Sequence, residues 1–368
     1  MPSLGAVIAP RRMGTGFRWL LASSWTSNVG DGIALSAAPL LIASLTSSPL
    51  LVASGAMMQI LPWLLFGLVA GSIADHHDRR RLVMLANGAR AVIVLGLVAV
   101  LLTGEVTIWA VLVTAFLYGT AEVFADTAGG TLLPMTVPAA DLGLGNARLQ
   151  AGFLVANQLA GPPLGAFLFA VGSFWPFTVQ IVCVSLAVVL ISRMARMPPR
   201  EEDTVTGGDG VRVRPIREGL AWLHGNAPVR TLILVILIFN VTWAAPWSVL
   251  VLYATEELGL GAVGFGLLTT AAALGGLMGV GCFGWLERRV RPATLMRVCL
   301  SLEVVMHLAF ALTTSPAVAF VIMFGFGAYA FVWGTISTTV RQRLVPLPLQ
   351  GRIASVNLVG LFGGLVVG

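Results

Sequence analysis

The chain has 368 residues, 57% of them hydrophobic and only 10% charged, with a mean hydropathy of +0.91. Soluble domains carry roughly 25% charged residues, so a water-soluble enzyme of this length could not cover its own surface, and the surrounding solvent must be lipid. The net charge is +6 and all 22 basic residues are arginine; without lysine there is no Walker A phosphate loop, no Schiff base to pyridoxal phosphate and no lysine nucleophile.

At the N-terminus, Arg11, Arg12 and Arg18 precede an apolar run in the outline of a secretory signal. Residues 19–45 are too long for a signal core, contain Asp31 and lack a small-residue cleavage site, so a retained first span is expected. A helical span needs about 20 mostly apolar residues. Eleven such runs follow one another, at about 17–45, 50–74, 81–103, 107–133, 148–171, 173–194, 229–254, 260–285, 294–314, 316–340 and 352–368. β-Barrel alternation is absent, so the expected fold class is an all-α polytopic membrane protein. Cys183, Cys282 and Cys299 each lie in an apolar run without C-x-x-C spacing and read as small buried hydrophobes.

Cytoplasmic loops retain arginine, and the arginines sort to one side. The N-terminal tail, the break at Arg79–Arg81, the stretch from Arg193 to Arg230, the break at Arg288–Arg297 and the break at Arg341–Arg352 hold nearly all of them. The opposite loops carry only Glu105, Glu256 and Glu257 as charges. The expected placement is therefore a multi-pass protein of the cytoplasmic membrane with its N-terminus in the cytoplasm.

Three regions are expected: a six-helix bundle at 1–194, a cytoplasmic linker at 195–228 and a second bundle at 229–368. Within the linker, Glu201, Glu202, Asp203 and Gly207–Gly208 suit a plain tether, while Ile216, Leu220 and Leu223 recur beside Trp222 at helical spacing, which predicts a short interfacial helix.

The two bundles echo each other. Gly71–Leu82 (GSIADHHDRRRL) after span 2 corresponds to Gly281–Pro292 (GCFGWLERRVRP) after span 8, and Arg148–Gly165 opens span 5 as Gly351–Gly368 opens span 11. Such a six-span repeat is a transporter architecture with its substrate site near the bilayer midplane. The loop after span 2 resembles the major facilitator superfamily pattern G-x-x-x-D-[RK]-x-G-[RK]-[RK] through Gly71, Asp75, Arg79 and Arg80. It departs at His76 and at Asp78, where the drug and siderophore exporter branch often writes aspartate before a double arginine. The second match is Gly152 followed by Gly161-Pro162-Pro163-Leu164-Gly165, similar to the glycine-proline motif of exporters in that superfamily.

That resemblance implies two six-helix bundles, the second cut short here because the chain ends within its eleventh span; a fragment of a twelve-helix protein is expected. It implies a cytoplasmic gate at Gly71, Asp75, Asp78, Arg79 and Arg80, although positive-inside placement and helix-end capping by Asp75 would also account for part of this pattern. It further implies that helices 2, 5, 8 and 11 meet across the two halves. Glycines four apart let backbones approach closely, and Gly161, Pro162, Gly165, Gly275, Gly279, Gly360 and Gly364 are expected at that seam.

Four acids sit well inside spans: Asp31, Glu122, Asp126 and Glu303. An exposed charge at helix centre costs about 2.5–3.5 kcal/mol on insertion scales, so such groups face a cavity or a partner. A desolvated carboxyl can hold and release a proton, which is what a proton-driven carrier requires. Asp31 lies between Gly30 and Gly32, and Glu122 and Asp126 share one face of span 4. By resemblance helices 1, 4, 7 and 10 line the cavity, which makes Asp31, Glu122 and Asp126 the expected proton-coupling and cavity acids; Asp126 could alternatively pair with Arg148 or Arg90. Asn28, Asn240, Trp243, Trp247, Tyr329 and Trp333 are the expected substrate-cavity side chains, with ordinary packing the alternative for each aromatic. Glu303 and His307, four apart on a helix peripheral in the family, suggest an internal pair. The consecutive Asp75-His76-His77-Asp78 cannot readily converge on one ion, so no metal site is expected.

The function expected is export of a small amphipathic molecule by alternating access, driven by the proton gradient and needing no cofactor. Import or lipid flipping by the same fold, or a transport-inactive sensor or assembly subunit, are the alternatives; an enzyme is not expected, since no catalytic motif occurs. Expected partners are the small-molecule substrate and the bilayer, with no nucleic acid, and the chain is expected to be monomeric.

Overall fold

Short polar breaks and prolines set where each helix of this chain begins. The computed structural model describes residues 13–138, 141–195, 222–346 and 350–368. Among them no strand occurs, and eleven helical rods follow in order. They are α1 (Gly14–Leu45), α2 (Pro49–His76), α3 (Arg79–Thr103), α4 (Ile108–Gly130), α5 (Leu142–Gly152, Phe153–Ala160 and Gly161–Val171 in succession), α6 (Trp175–Ser192), α7 (Ala227–Ser248), α8 (Ala262–Arg289), α9 (Pro292–Leu312), α10 (Pro316–Leu344) and α11 (Gln350–Val367). Ten of these stretches are long and apolar enough to cross a membrane; in α11 the apolar part is the shorter Val356–Val367.

The ends follow local chemistry. Pro49, Pro292 and Pro316 open α2, α9 and α10, where a missing N–H costs nothing. Asp78 caps α3 by accepting from the backbone N–H groups of Arg80 (3.0 Å) and Arg81 (3.3 Å), and Gly104 closes it at φ 77°. In α5, Phe153–Ala160 is wound as a π-helix, in which Gly161 N–H donates to the Ala156 carbonyl. Pro162 and Pro163 follow directly and have no N–H to continue an ordinary α-ladder, which accounts for the wider turn at this point.

Contacts divide the chain into two units, residues 1–203 with 261–266, and 204–260 with 267–368. In the first, α1 packs on α5 and α6, α2 on α4, and α3 on α4 and α6. The outward sides keep Leu85, Val92, Leu102, Trp109 and Val113 exposed, as suits lipid. In the second unit α7 packs on α11 and α9 on α10. Most of the expected linker, including Ile216 and Leu220, lies outside the described residues. Leu223 is buried with Val229, Ile233, Val345 and Ile353, and Trp222 packs against them, so this end of the expected interfacial helix is seated on the second unit.

The small-residue stripes have their close approaches inside the units. A Cβ on Gly161 would overlap the backbone of Gly32 in α1, and one on Gly165 would overlap the Ile33 carbonyl; Ser36 Oγ donates to the Pro162 carbonyl beside them at 2.7 Å. Gly275 and Gly279 lie against the α10 backbone at Phe324 and Ala328. Gly364 lies against α7, where a Cβ would stand 2.7 Å from the Leu237 carbonyl, and Gly360 faces Ile233 more loosely. Gly161, Gly165, Gly275, Gly279, Gly360 and Gly364 thus serve helix crossings within one unit, while the Pro162 carbonyl is also closely approached by Gly266 in the first turns of α8.

This contrast is measurable. Gly161→Ala should lower the thermal midpoint of the purified protein by the equivalent of about 1–3 kcal/mol, the usual cost of overpacking. Gly67→Ala, on a similar stripe but with open space around it, should stay near the parent value; equal effects at both positions would show that the close approach at Gly161 does not matter to stability.

Candidate functional site

A guanidinium has five N–H donors and no way to shed its charge, so burying one demands a matching shell of acceptors. Arg90, in the middle of α3, is 1% exposed. Its Nη2 donates to Asp31 Oδ1 of α1 and to the Tyr118 hydroxyl of α4, and lies 3.9 Å from Glu122 Oε1. Its Nη1 donates to Asn87 Oδ1 at 2.8 Å and to Ser27 Oγ at 3.4 Å, and its carbon sits 4.6 Å from the Tyr118 ring centre. Tyr118 links the shell onward, its hydroxyl donating to Asp31 Oδ1 (2.6 Å) while accepting from Arg90 and from Gln180 Nε2 of α6 (2.8 Å); the buried Nε of Arg90 has no hydrogen-bond partner among the described residues. Ser27 Oγ donates to Asp31 Oδ2 (3.2 Å), and the Gln59 side chain of α2 lies beside Glu122. Three donors from three helices converge on the Asp31 carboxyl group.

The expected acids therefore have different surroundings. Asp31 and Glu122 turn into the first unit, with side chains 16% and 20% exposed. Asp126, one turn beyond Glu122, is exposed and has no hydrogen bond or ion pair among the described residues. The pairing of Asp126 with Arg148 or Arg90, entertained from sequence, is thus replaced by Arg90 with Asp31, since α3 and α1 bring those two groups into contact. Asp126 instead lines an open polar cavity of about 540 Å³ together with Asn28, Ser24, Asn146 and Gln150.

The remaining expected cavity residues separate. Trp243 and Trp247 of α7 stack 5.2 Å apart, each about 6 Å from the Phe326 ring of α10, and line an apolar cavity of about 480 Å³ with Tyr253, Met306 and Phe310. Asn240 donates to the Ile236 carbonyl and packs beside Gly364 of α11. Trp333 is buried and stacks on Phe239, and Tyr329 is buried with its hydroxyl donating to Glu303 Oε2 at 2.6 Å. Glu303 and His307 are an internal pair, 3.6 Å apart, with the His307 ring between the Glu303 and Thr242 carbonyls.

At the expected gate, Arg80 donates to the Ile191 and Ser192 carbonyls at the end of α6, where a cation complements the helix dipole. Arg79 reaches the Ala74 carbonyl and Met135 Sδ. Asp78 pairs with Arg81 at 3.6 Å besides capping α3. Gly71 has open space around it, and the side chain of Asp75 lies outside the described residues.

The intramembrane acids stand out in the sequence, and the intramembrane base Arg90 was expected there only as an alternative partner of Asp126, although the same insertion cost applies to it. Asn87, Tyr118 and Gln180 gave no such signal, because a neutral polar side chain is cheap in a helix.

The sequence matches the Major Facilitator Superfamily model over residues 20–368. The chain belongs to the Major Facilitator Superfamily. It is 28% identical over 365 residues to the multidrug efflux pump Tap of Mycolicibacterium fortuitum, covering 94% of this chain and 84% of that protein. It is 27% identical over 198 residues to macrolide efflux protein A of Streptococcus pyogenes, covering 52% of this chain and 46% of that protein. Among solved structures, a bacterial homologue of the iron transporter ferroportin in its inward-facing state shares the fold with a TM-score of 0.71 at 19% identity, covering 96% of this chain and 89% of that one. A point mutant of the nucleoside transporter NupG does so with a TM-score of 0.76 at 9% identity, with the same coverage. As a member of this superfamily the chain is a multi-span membrane transporter and not an enzyme.

Removing the guanidinium should be costly. Arg90→Leu strands Asp31 and Glu122 without their cation, and breaking a buried pair this way costs about 3–5 kcal/mol. Adding Asp31→Asn to Arg90→Leu should recover part of that loss in the unfolding midpoint; absence of any recovery would mean that the two side chains are not energetically coupled.

Proposed function

We propose that this transporter exports a small amphipathic molecule from the cell in exchange for protons, by alternating access, with its N-terminus in the cytoplasm. The observation that carries the reading is the Arg90–Asp31 pair with Glu122 as a second acid 3.9 Å from the same guanidinium. One fixed cation between two carboxyl groups can neutralise one of them fully. A proton arriving on Asp31 neutralises the carboxylate that faces Arg90 and leaves the guanidinium to Glu122; its departure restores the first pairing. The two states thus differ in whether Arg90 ties α3 to α1 as well as to α4, which it also holds through Tyr118, and such a difference lets a proton bias a conformational equilibrium. The drive available is about 2.3 kcal/mol per charge per 100 mV of membrane potential, before any pH gradient.

Export as the direction draws on the two efflux proteins to which the chain is similar. No bound cofactor enters the scheme, and a single chain suffices for it. Asp31 is the first choice for the proton-carrying group and Glu122 the second.

Asp31→Asn should abolish uphill export from everted vesicles energised with a proton gradient, while protein yield and gradient-free exchange of a transported dye persist. Unaltered uphill export by this variant would remove Asp31 from the coupling role. Imposing the opposite pH gradient on proteoliposomes should reverse the net flux, and a flux indifferent to the gradient would reject proton coupling altogether.

A further inference from the structure

The polar cavity of the first unit presents an unusual inventory of hydrogen-bonding groups. Asn28 Nδ2 is engaged by its own helix, donating to the Ser24 carbonyl at 2.8 Å and toward Ser24 Oγ at 3.4 Å. Asn146 Nδ2 donates to the Leu142 carbonyl at 3.1 Å. Both N–H groups of the Asn28 amide are thereby turned to its own helix, which leaves its Oδ1 to meet a ligand, while Asn146 keeps its Oδ1 and one N–H. In the same lining Asp126 contributes a carboxyl group that is exposed and has no hydrogen bond or ion pair among the described residues. Arg90 reaches it only by longer-range attraction, being occupied by Asp31, Tyr118, Asn87 and Ser27. A carboxyl group without a hydrogen-bond or ion-pair partner among the described residues, in a cavity that also offers the amide oxygens of Asn28, Asn146 and Gln150, complements a group that offers N–H donors and one positive charge.

We infer that the cavity formed by Asp126, Asn28, Asn146, Ser24 and Gln150 binds the protonated amine of the transported molecule, so that the substrate class is an amphipathic monocation. The assignment rests on the carrier reading above for the cavity's being a substrate site. Asp126 is then a specificity-determining residue, distinct from Asp31: Arg90 satisfies the one acid and leaves the other to the substrate. At about 540 Å³ the cavity lies within the range of small-molecule sites. Removing the ammonium from a ligand leaves these acceptors facing apolar surface, and that unpaired state is what discriminates against a neutral analogue.

The test uses two fluorescent probes of one shape. Monodansylcadaverine ends in a primary ammonium; in N-hexyl dansylamide a methyl group stands in its place. Full-length protein in lipid nanodiscs is titrated with each at neutral pH and without any ion gradient, with empty nanodiscs subtracted. The cation should bind at least about tenfold more tightly than its neutral partner. Asp126→Asn should erase that preference by weakening the cation alone, Asp126→Glu should restore much of it, and Asn146→Leu, at an exposed position, should weaken the cation several-fold. Equal binding of the two probes to the parent protein, a preference that survives Asp126→Asn, or no binding of the cation up to about 1 mM overturns the inference; the first and last of these need no variant to fold. Because binding is read at equilibrium with no gradient, a net flux indifferent to the pH gradient would sink proton coupling and leave this assignment standing, and the outcomes named here would do the reverse.

Discussion

A positive charge that cannot be neutralised, held at 1% exposure among apolar helices, is the constraint around which the first unit is arranged. Arginine keeps its proton in every environment a protein offers, so the surroundings must adapt to it. They do so with a carboxyl group from α1, a phenol and a second carboxyl group from α4, an amide from its own helix and, through the phenol, another amide from α6. Each of these contacts fixes the rotation of one helix about its axis, because a turn of one residue would point the group elsewhere. The charge therefore specifies the mutual registers of four helices that hydrophobic packing alone, with lipid as apolar as leucine, would define weakly.

From that arrangement comes a division among chemically similar acids. Asp31 has three donors, one of them a cation, Glu122 is within reach of the same cation, and Asp126 faces open space with none. The second unit solves a related problem in the opposite sense. There the buried charge at the corresponding helix is the acid Glu303, again joined to a tyrosine of the following helix. Tyr118 and Tyr329 thus bridge α3 to α4 and α9 to α10 through partners of opposite charge, which makes the internal repeat visible at the level of single hydrogen bonds.

The helices and their limits were legible because span length and hydropathy are properties of consecutive residues, and so were the intramembrane acids, which stand out against an apolar run. Pairing was not. Asp31 and Arg90 are 59 positions apart, and which face of each helix turns inward depends on every other helix in the bundle. The aromatic residues show the same limit. Trp243 and Trp247 reach a cavity while Trp333 and Tyr329, at equally suitable spacing, are absorbed into packing. Glycine stripes announced close crossings without naming the partner, since a smooth helix face suits a neighbour in the same unit as well as one beyond it.

The wide turn at Phe153–Ala160 has a consequence for the length of α5. A π-segment accommodates one residue more than an α-helix of the same rise, so α5 carries a surplus residue between the stretch that bears Asn146 and Gln150 and the stretch that crosses Gly32. Losing a single residue there would tighten the coil to ordinary winding and leave both flanking faces aimed as before, whereas the same deletion in α1 or α3 would swing everything beyond it by about 100°. Tolerance to a change of length is thus concentrated in one short stretch of an otherwise unforgiving bundle.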